Sequence, residues 1–166
     1  MRLLLVLGAI LLIGACGFHP RDAGVATFAP ALAVLRVEGS QEVVREAVRN
    51  ALIVDAGARI TEAAGVPLLT LTSESIQSEV LAITAAGTQS DFLLNYSIGY
   101  SLRAADGAML IPARTIRLQR EYTFDKLNVL ASERHDDFLR AAMRRDAVQQ
   151  ILRALAVVRP EIPNAN

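Results

Sequence analysis

The cleanest periodicity in the chain lies between Phe92 and Leu102. Phe92, Leu94, Tyr96, Ile98, Tyr100 and Leu102 share one face of an extended strand, and Asn95, Ser97, Gly99 and Ser101 share the other. Asp106-Gly107 then predicts a hairpin turn. Beyond it Ile116, Leu118, Tyr122 and Phe124 repeat the alternation, with Arg117, Gln119 and Glu121 opposite. Pro112 has no N–H to give a ladder, so this strand begins after it or lies at an edge or bulge. Upstream, residues 67–83 (PLLTLTSESIQSEVLAI) alternate at Leu69 and Leu71, and the pattern blurs from Ser73 to Ser78 before the break at Ala86-Gly87.

Two segments carry helical spacing instead. After a short strand at residues 32–37, closed by Glu38-Gly39, Ser40 is placed as an N-cap with Gln41 and Glu42 in the first turn. Val44, Ala47, Val48, Ala51 and Leu52 recur on one side of that helix, Glu42, Arg45, Glu46 and Arg49 face away, and Gly57 is its C′ residue. Ser132 is placed as the cap of a long helix running to about Val158, ended by Pro160 and Pro163. Its apolar stripe is Phe138, Ala141, Ala142, Val148, Ile151, Leu152 and Leu155. The order β-α-β-β-β-α predicts an α+β two-layer sandwich: a mostly antiparallel four-stranded sheet with two helices packed on one face, in a single domain over residues 32–158. The open sheet face would carry Thr, Ser, Asn, Gln and Arg.

Residues 67–83 and 91–102 together predict a hairpin arm of unusual length. A 17-residue strand reaches about 55 Å at ~3.3 Å per residue, against about 40 Å for the final helix. Either a bulge near Ser73 to Ser78 shortens the arm, or its tip near Ala85-Ala86-Gly87 projects beyond the helices and requires a partner.

The N-terminus has a different character. Arg2 precedes an apolar run over residues 3–13, and small residues lead from it to Cys16, the only cysteine. Eleven helical residues span roughly 16 Å, too short to cross a bilayer and suited to a signal-peptide core. Ile13-Gly14-Ala15-Cys16 resembles a lipobox, the motif read by the bacterial lipoprotein signal peptidase. That resemblance implies a diacylglycerol thioether on Cys16, cleavage before it and acylation of the freed amine. Residues 1–15 are then a removed signal peptide, residues 16–31 a lipidated tether rich in Pro, Gly and small residues, and residues 159–166 a C-terminal tail.

Cleavage would leave 151 residues, 166 minus 15, enough for one core without staples. Loss of Arg2 from 17 basic side chains leaves 16 against 17 acidic ones, a formal charge of −1. That balance disfavours a general binder of nucleic acid or anionic membrane. With Cys16 acylated no thiol remains for a disulfide.

Catalytic chemistry is not written in the chain. His19 and His135 stand alone, no HxxxH, HExxH or CxxC spacing exists, and phosphate-loop, dinucleotide and GxSxG patterns are missing. Asp136-Asp137, adjacent on a helix, diverge rather than pair. The reading is of a protein that is not an enzyme and carries no cofactor or metal beyond its covalent lipid. Arg103, Arg114, Arg117 and Arg120 gather on one hairpin, suited either to phosphate contact or to cross-strand pairing with Glu121 or Asp106.

Taken in order, several pieces resemble the LptE family of outer-membrane lipopolysaccharide-assembly lipoproteins. Cys16-Gly17-Phe18-His19 followed by Pro20-Arg21 resembles the family's Cys-Gly-aromatic-His opening, with Pro20 where Leu is usual. Residues 48–52 (VRNAL) resemble its first helix, and the Gly87 turn with Asp91-Phe92 and the strand to Tyr100 its long hairpin. Val129-Leu130-Ala131, residues 143–147 (MRRDA) and Gln149-Gln150-Ile151 resemble its last strand end and final helix. The resemblance implies the same β-α-β-β-β-α domain and a protein that sits inside an LptD-like β-barrel, helps it assemble and binds lipopolysaccharide. Gly17 after the lipidated cysteine fits outer-membrane sorting. Contact with barrel or lipopolysaccharide is expected at Thr84, Ala85, Ala86, Gly87, Arg114 and Arg117. Where some relatives carry basic residues at the hairpin turn and near the start of the final helix, this chain has Ala85 and Ser132. The alternative is a generic envelope lipoprotein that carries an amphiphilic small molecule in an apolar cavity between sheet and helices.

The leader yields a direct prediction. Cys16→Ser gives an uncleaved precursor without acyl mass, read by intact-protein mass spectrometry. Unchanged processing and acyl addition in that variant would defeat the lipidation reading.

Overall fold

The computed structural model describes residue 29 and residues 32–158. The leader, the lipobox residues Ile13, Gly14, Ala15 and Cys16, most of the tether and the tail lie outside the described residues. Strand β5 (Gln89–Arg103) is the spine. Along one edge it pairs antiparallel with β6 (Met109–Asp125), from Gln89 opposite Asp125 to Arg103 opposite Met109. Two strands share its other edge: β3 (Leu68–Leu71) lies along Tyr100 to Arg103, and β4 (Ser75–Ile83) along Ser90 to Ser97. Strand β1 (Val34–Gly39) adds to β3 in parallel, and β2 (Arg59–Ile60) adds to β1 in parallel.

The α+β class with two helices stands, but the sheet has six strands and is mixed, which corrects the mostly antiparallel four-stranded expectation. Two physical reasons account for the difference. Residues 67–83 are cut into β3 and β4 at residues 72–74, and the two-residue β2 is too short to show any periodicity. Strand β6 runs straight through Pro112 because it is an edge strand. Between the pairs Tyr100–Arg114 and Leu102–Ile111 it carries one residue more than β5, a bulge that absorbs the missing N–H.

The apolar face of β5 is buried as its alternation requires. Leu94, Tyr96, Ile98, Tyr100 and Leu102 join Leu35, Val37, Leu69 and Leu71 beneath Val44, Val48 and Leu52 of α1 (Glu42–Val54). Met143, Ala147, Val148, Ile151, Leu152 and Leu155 of α2 (Val129–Ala156) complete this cluster. Both caps differ from expectation. Helix α1 is entered at Gln41 rather than Ser40, with no side-chain cap bond, and α2 at Asn128. Ser132 lies inside α2, buried, where its Oγ accepts the Asp125 N–H at 3.0 Å. Phe138 is 60 % exposed. Five residues before Met143 and nine before Ala147, it is turned well over 90° from the buried stripe. The Arg145 guanidinium lies 5.9 Å from its ring.

The break between β3 and β4 is a built junction. Thr72 N–H donates to the Gly99 carbonyl at 2.9 Å, and Gly99 N–H donates back to Thr72 Oγ1 at 2.9 Å. The hydroxyl can stand there only because Gly99 has no Cβ; an added one would lie 2.5 Å from Thr72 Oγ1. Two residues on, Glu74 N–H donates to Gln41 Oε1 at 2.6 Å and its carbonyl accepts Gln41 Nε2–H at 3.1 Å. Its carboxylate takes a two-pronged contact from Arg144, Nε to Oε1 at 2.7 Å and Nη2 to Oε2 at 3.0 Å. Glu74 and Arg144 side chains are only 10 % and 24 % exposed. The Glu74 bond holds Arg144 above its ordinary value, against its own desolvation. The Tyr96 hydroxyl is buried beside this pair and completes no hydrogen bond among the described residues. Burial first, and the Glu74 charge second, raise its pKa above the ordinary phenol range.

Two outcomes follow from this junction. Gly99→Ala lowers unfolding free energy by about 1–3 kcal/mol in urea, the range for a forced close contact; a loss below ~0.5 kcal/mol would show that Thr72 simply swings aside. In a double-mutant cycle, Glu74→Gln and Arg144→Met couple by about 1–2 kcal/mol, above exposed ion pairs and below fully buried ones. Additive effects would make the contact incidental.

Candidate functional site

Beyond the junction, β4 with the far ends of β5 and β6 forms an arm with two unlike faces. On the helix side, Val80 lies opposite Phe92 and Phe92 opposite Tyr122. Phe92 and Tyr122 stack with ring centroids 5.4 Å apart, Phe124 meets Phe92 edge-on at 6.4 Å, and His135 of α2 meets Tyr122 at 6.3 Å. Arg120, on this face as its parity requires, pairs with Asp146 at 2.9 Å. Tyr122 is held above its ordinary pKa, first by burial and then by the Asp136 charge.

The opposite face has no helix on it. Ser75, Gln77, Asn95, Ser97, Arg117 and Gln119 line a shallow depression of about 520 Å³. Gln119 Nε2–H donates to Asn95 Oδ1 at 2.7 Å, and the Thr123 hydroxyl donates to Asp91 at 2.7 Å. Amides and hydroxyls thus dominate, as the sequence led us to expect of the open face. Arg117, opposite Ser97, is exposed on this face, whereas Arg114, opposite the buried Tyr100, is exposed on the helix-side face; neither makes an ion pair among the described residues. The cross-strand pairing with Glu121 or Asp106 weighed from sequence is not formed there. Both guanidiniums stay available to an anion.

At the far end, Thr84, Ala85, Ala86 and Gly87 form the tip. Gly87 takes φ +65°, its N–H donates to the Thr84 carbonyl at 2.8 Å, and Thr84 and Gln89 close the turn through both backbone and hydroxyl. The turn closes on its own backbone, and the Ala85 and Ala86 methyls are exposed. Exposed Val80, Leu81 and Ile83 on β4, and Leu127 and Leu130 at the start of α2, add apolar surface to this end of the molecule. Asp125 fixes the β6–α2 turn; the Asn128 side chain first, then the Leu127 N–H, lower its pKa.

The six contact candidates therefore fall in two places. Thr84, Ala85, Ala86 and Gly87 sit together at the tip, whereas Arg117 lies eight residues of strand away, about 27 Å, and Arg114 further still. Ser132 and Ala85 are not neighbours of that arginine pair either. Sequence reading missed the Glu74–Arg144–Gln41 junction, whose partners are 70 and 33 residues apart and leave no local signal. It also missed the exposed apolar end of α2, for which the repeated Leu127, Val129 and Leu130 after a strand end was the available clue.

A cavity for an amphiphile would have to lie between sheet and helices. At that interface the side chains of Leu35, Leu52, Leu69, Leu94, Leu102, Met143, Ile151 and Leu155 have no exposure. A depression of about 450 Å³ between the helices, floored by Ala47, Ala51, Ala141 and Val148, opens to the surface and is rimmed by Asp55, Arg144, Arg145 and Gln149. Among the described residues no group of three or more His, Cys, Asp or Glu is placed to hold a metal. No helix among them is long and apolar enough to cross a membrane.

Comparison with known proteins agrees with this architecture. Rare lipoprotein B from Shewanella oneidensis superposes with a TM-score of 0.64 at 25% identity, over 74% of this chain and 93% of that one. A lipoprotein B from Nitrosomonas europaea gives 0.68 at 22% identity, over 78% and 84%. A minor lipoprotein from Acinetobacter baumannii gives 0.62 at 16% identity, over 75% and 91%. No curated protein sequence matches the chain. A family described as LptE, lipopolysaccharide-assembly, matches residues 28–155, which take in both helices, the junction and the whole arm. By that match, spanning far more than half its length, the chain belongs to the LptE family.

Proposed function

We propose that this protein is the outer-membrane lipoprotein subunit of a lipopolysaccharide transport and assembly complex. On this reading Cys16 carries the lipid, residues 16–31 tether the domain, and the folded part plugs an LptD-like β-barrel and helps it assemble. The observation that carries the reading is the arm: a long hairpin with one face packed under α2, one bare polar face and an exposed apolar end. The inner wall of a large outer-membrane barrel is polar. A sheet face of Gln77, Asn95, Ser97 and Gln119 can hydrogen-bond to such a wall without burying unmatched charge. Arg114 and Arg117, exposed and without an ion-pair partner among the described residues, suit the phosphates or carboxylates of lipopolysaccharide. The tip, without a charged residue from Thr84 to Gln89, suits apolar or backbone contact rather than phosphate.

Replacing residues 84–89 by an Asn-Gly turn keeps the hairpin closed and leaves the domain folded by circular dichroism. It is expected to lower recovery of the barrel with the membrane-extracted lipoprotein by about tenfold, equivalent to ~1.4 kcal/mol of contact. Undiminished recovery would reduce the tip to a mere turn. Failure of the unaltered protein to bring down any outer-membrane barrel would overturn the function as a whole.

A further inference from the structure

Strand β4 ends the sheet on one side, and its outer edge pairs with nothing among the described residues. The parity of that edge is fixed by the junction. Thr72 N–H donates to the Gly99 carbonyl, so Gly99, Ser97, Asn95 and Leu93 direct their peptide groups toward β3 and β4. Their partners Ser75, Gln77 and Glu79 direct theirs inward in return. Ile76, Ser78 and Val80 therefore point N–H and C=O outward. Glu74, two residues before Ile76, agrees: both of its peptide groups face out, and both are bonded by the Gln41 side-chain amide. Gln41 makes the pair of bonds that a neighbouring strand would make. The row occupied by β1 ends at Gly39, opposite Leu71, and the Gln41 amide is the next rung in line.

The two outer edges of the arm are guarded differently. Strand β6 carries Arg114, Arg117, Arg120, Glu121, Pro112 and a bulge, the devices that discourage strand addition. Strand β4 carries one charge, Glu79, no proline, and a single irregularity between Val80 and Ala82. Its Val80, Leu81 and Ile83 are exposed.

We propose that the outer edge of β4, from Ile76 to Val80, receives an extended segment of the partner barrel by backbone pairing. For the identity of the partner this rests on the function proposed above. The segment that fits is nearly neutral, with apolar side chains on the helix side to widen the Ile76–Val80 stripe and a basic or amide side chain near Glu79. Only six residues, Ser75 to Val80, lie between the Gln41 rung and the irregularity after Val80. That contact is too small to hold two free copies of this chain together, but it is enough for a segment of a partner already held at the open face and tip, where effective concentration is high.

The test compares the full-length lipoprotein alone and in its barrel complex by amide hydrogen exchange. Exchange at Ile76, Ser78 and Val80 is expected to slow by about tenfold or more on complex formation. Ser78→Pro removes one outward N–H and leaves the inward ladder of Ser75, Gln77 and Glu79 in place. It should lower barrel recovery by about tenfold, while Ser78→Ala recovers the barrel as the unaltered protein does. Equal exchange with and without the barrel overturns the proposal even if Ser78→Pro fails to fold. So does protection already present in the free chain, or protection that grows with the chain's own concentration, which would assign the edge to a second copy. Recovery of the barrel with unchanged exchange defeats the edge alone, whereas no recovery at all defeats the function it rests on.

Discussion

Glu74 joins the start of the arm to both helices. One residue binds α1's entry through its peptide groups and α2's middle through its carboxylate, at the place where the strand beside β5 changes from β3 to β4. Before that point the sheet is sandwiched under both helices; after it, β4 runs with both its outer edge and most of its side chains in solvent. A junction of this kind is needed because β3 and β4 break at residues 72–74 beside the buried Gly99 and the half-buried Glu74, and such peptide groups without partners are expensive. Thr72 Oγ1 and the Gln41 amide restore the missing bonds. Arg144 then ties the restored segment to the helix layer.

The distribution of burial gives the junction its significance. Side chains with no exposure cluster at Leu35, Val48, Leu52, Leu69, Leu94, Leu102, Met143, Ile151 and Leu155, all in the sandwiched region or at its border. Past Phe92 the arm relies on one aromatic stack and on α2's first turns. Regions with few buried apolar contacts open first, so the arm is the part of the fold best able to adjust to a partner.

Periodicity revealed what periodicity can. The face of β5 and the buried stripe of α1 were legible because each side chain's environment follows from its own local spacing. The halves of residues 67–83 were not separable, since Ser73-Glu74-Ser75 reads as a weak stretch of strand and nothing nearby announces a contact with Arg144. In α2 the apolar stripe was drawn back to Phe138. The side of α2 that faces the sheet passes through Met143, Ala147 and Ile151, and Phe138 stands on another side of the helix. Arg120 and Arg117 illustrate the limit for the site. Their opposite parities were visible, but that Asp146 would meet one while the other stays free depends on where α2 crosses the sheet.

That crossing also bears on the approach of any partner. Helix α2 covers the aromatic side of the arm through Tyr122 and Asp146, and α1 covers the body beside it, so both helices exclude a wall from that side. Among the surfaces left are the amide-rich face, the apolar end and the β4 edge. They differ in chemistry, and a single enclosing partner can meet all three only if it is polar where it lines the sheet and offers apolar or backbone groups at the tip. A flat membrane surface does not provide that combination, because its polar and apolar layers are stacked in depth rather than set around a cleft. A barrel lumen, the partner proposed above, sets a polar wall around what it encloses.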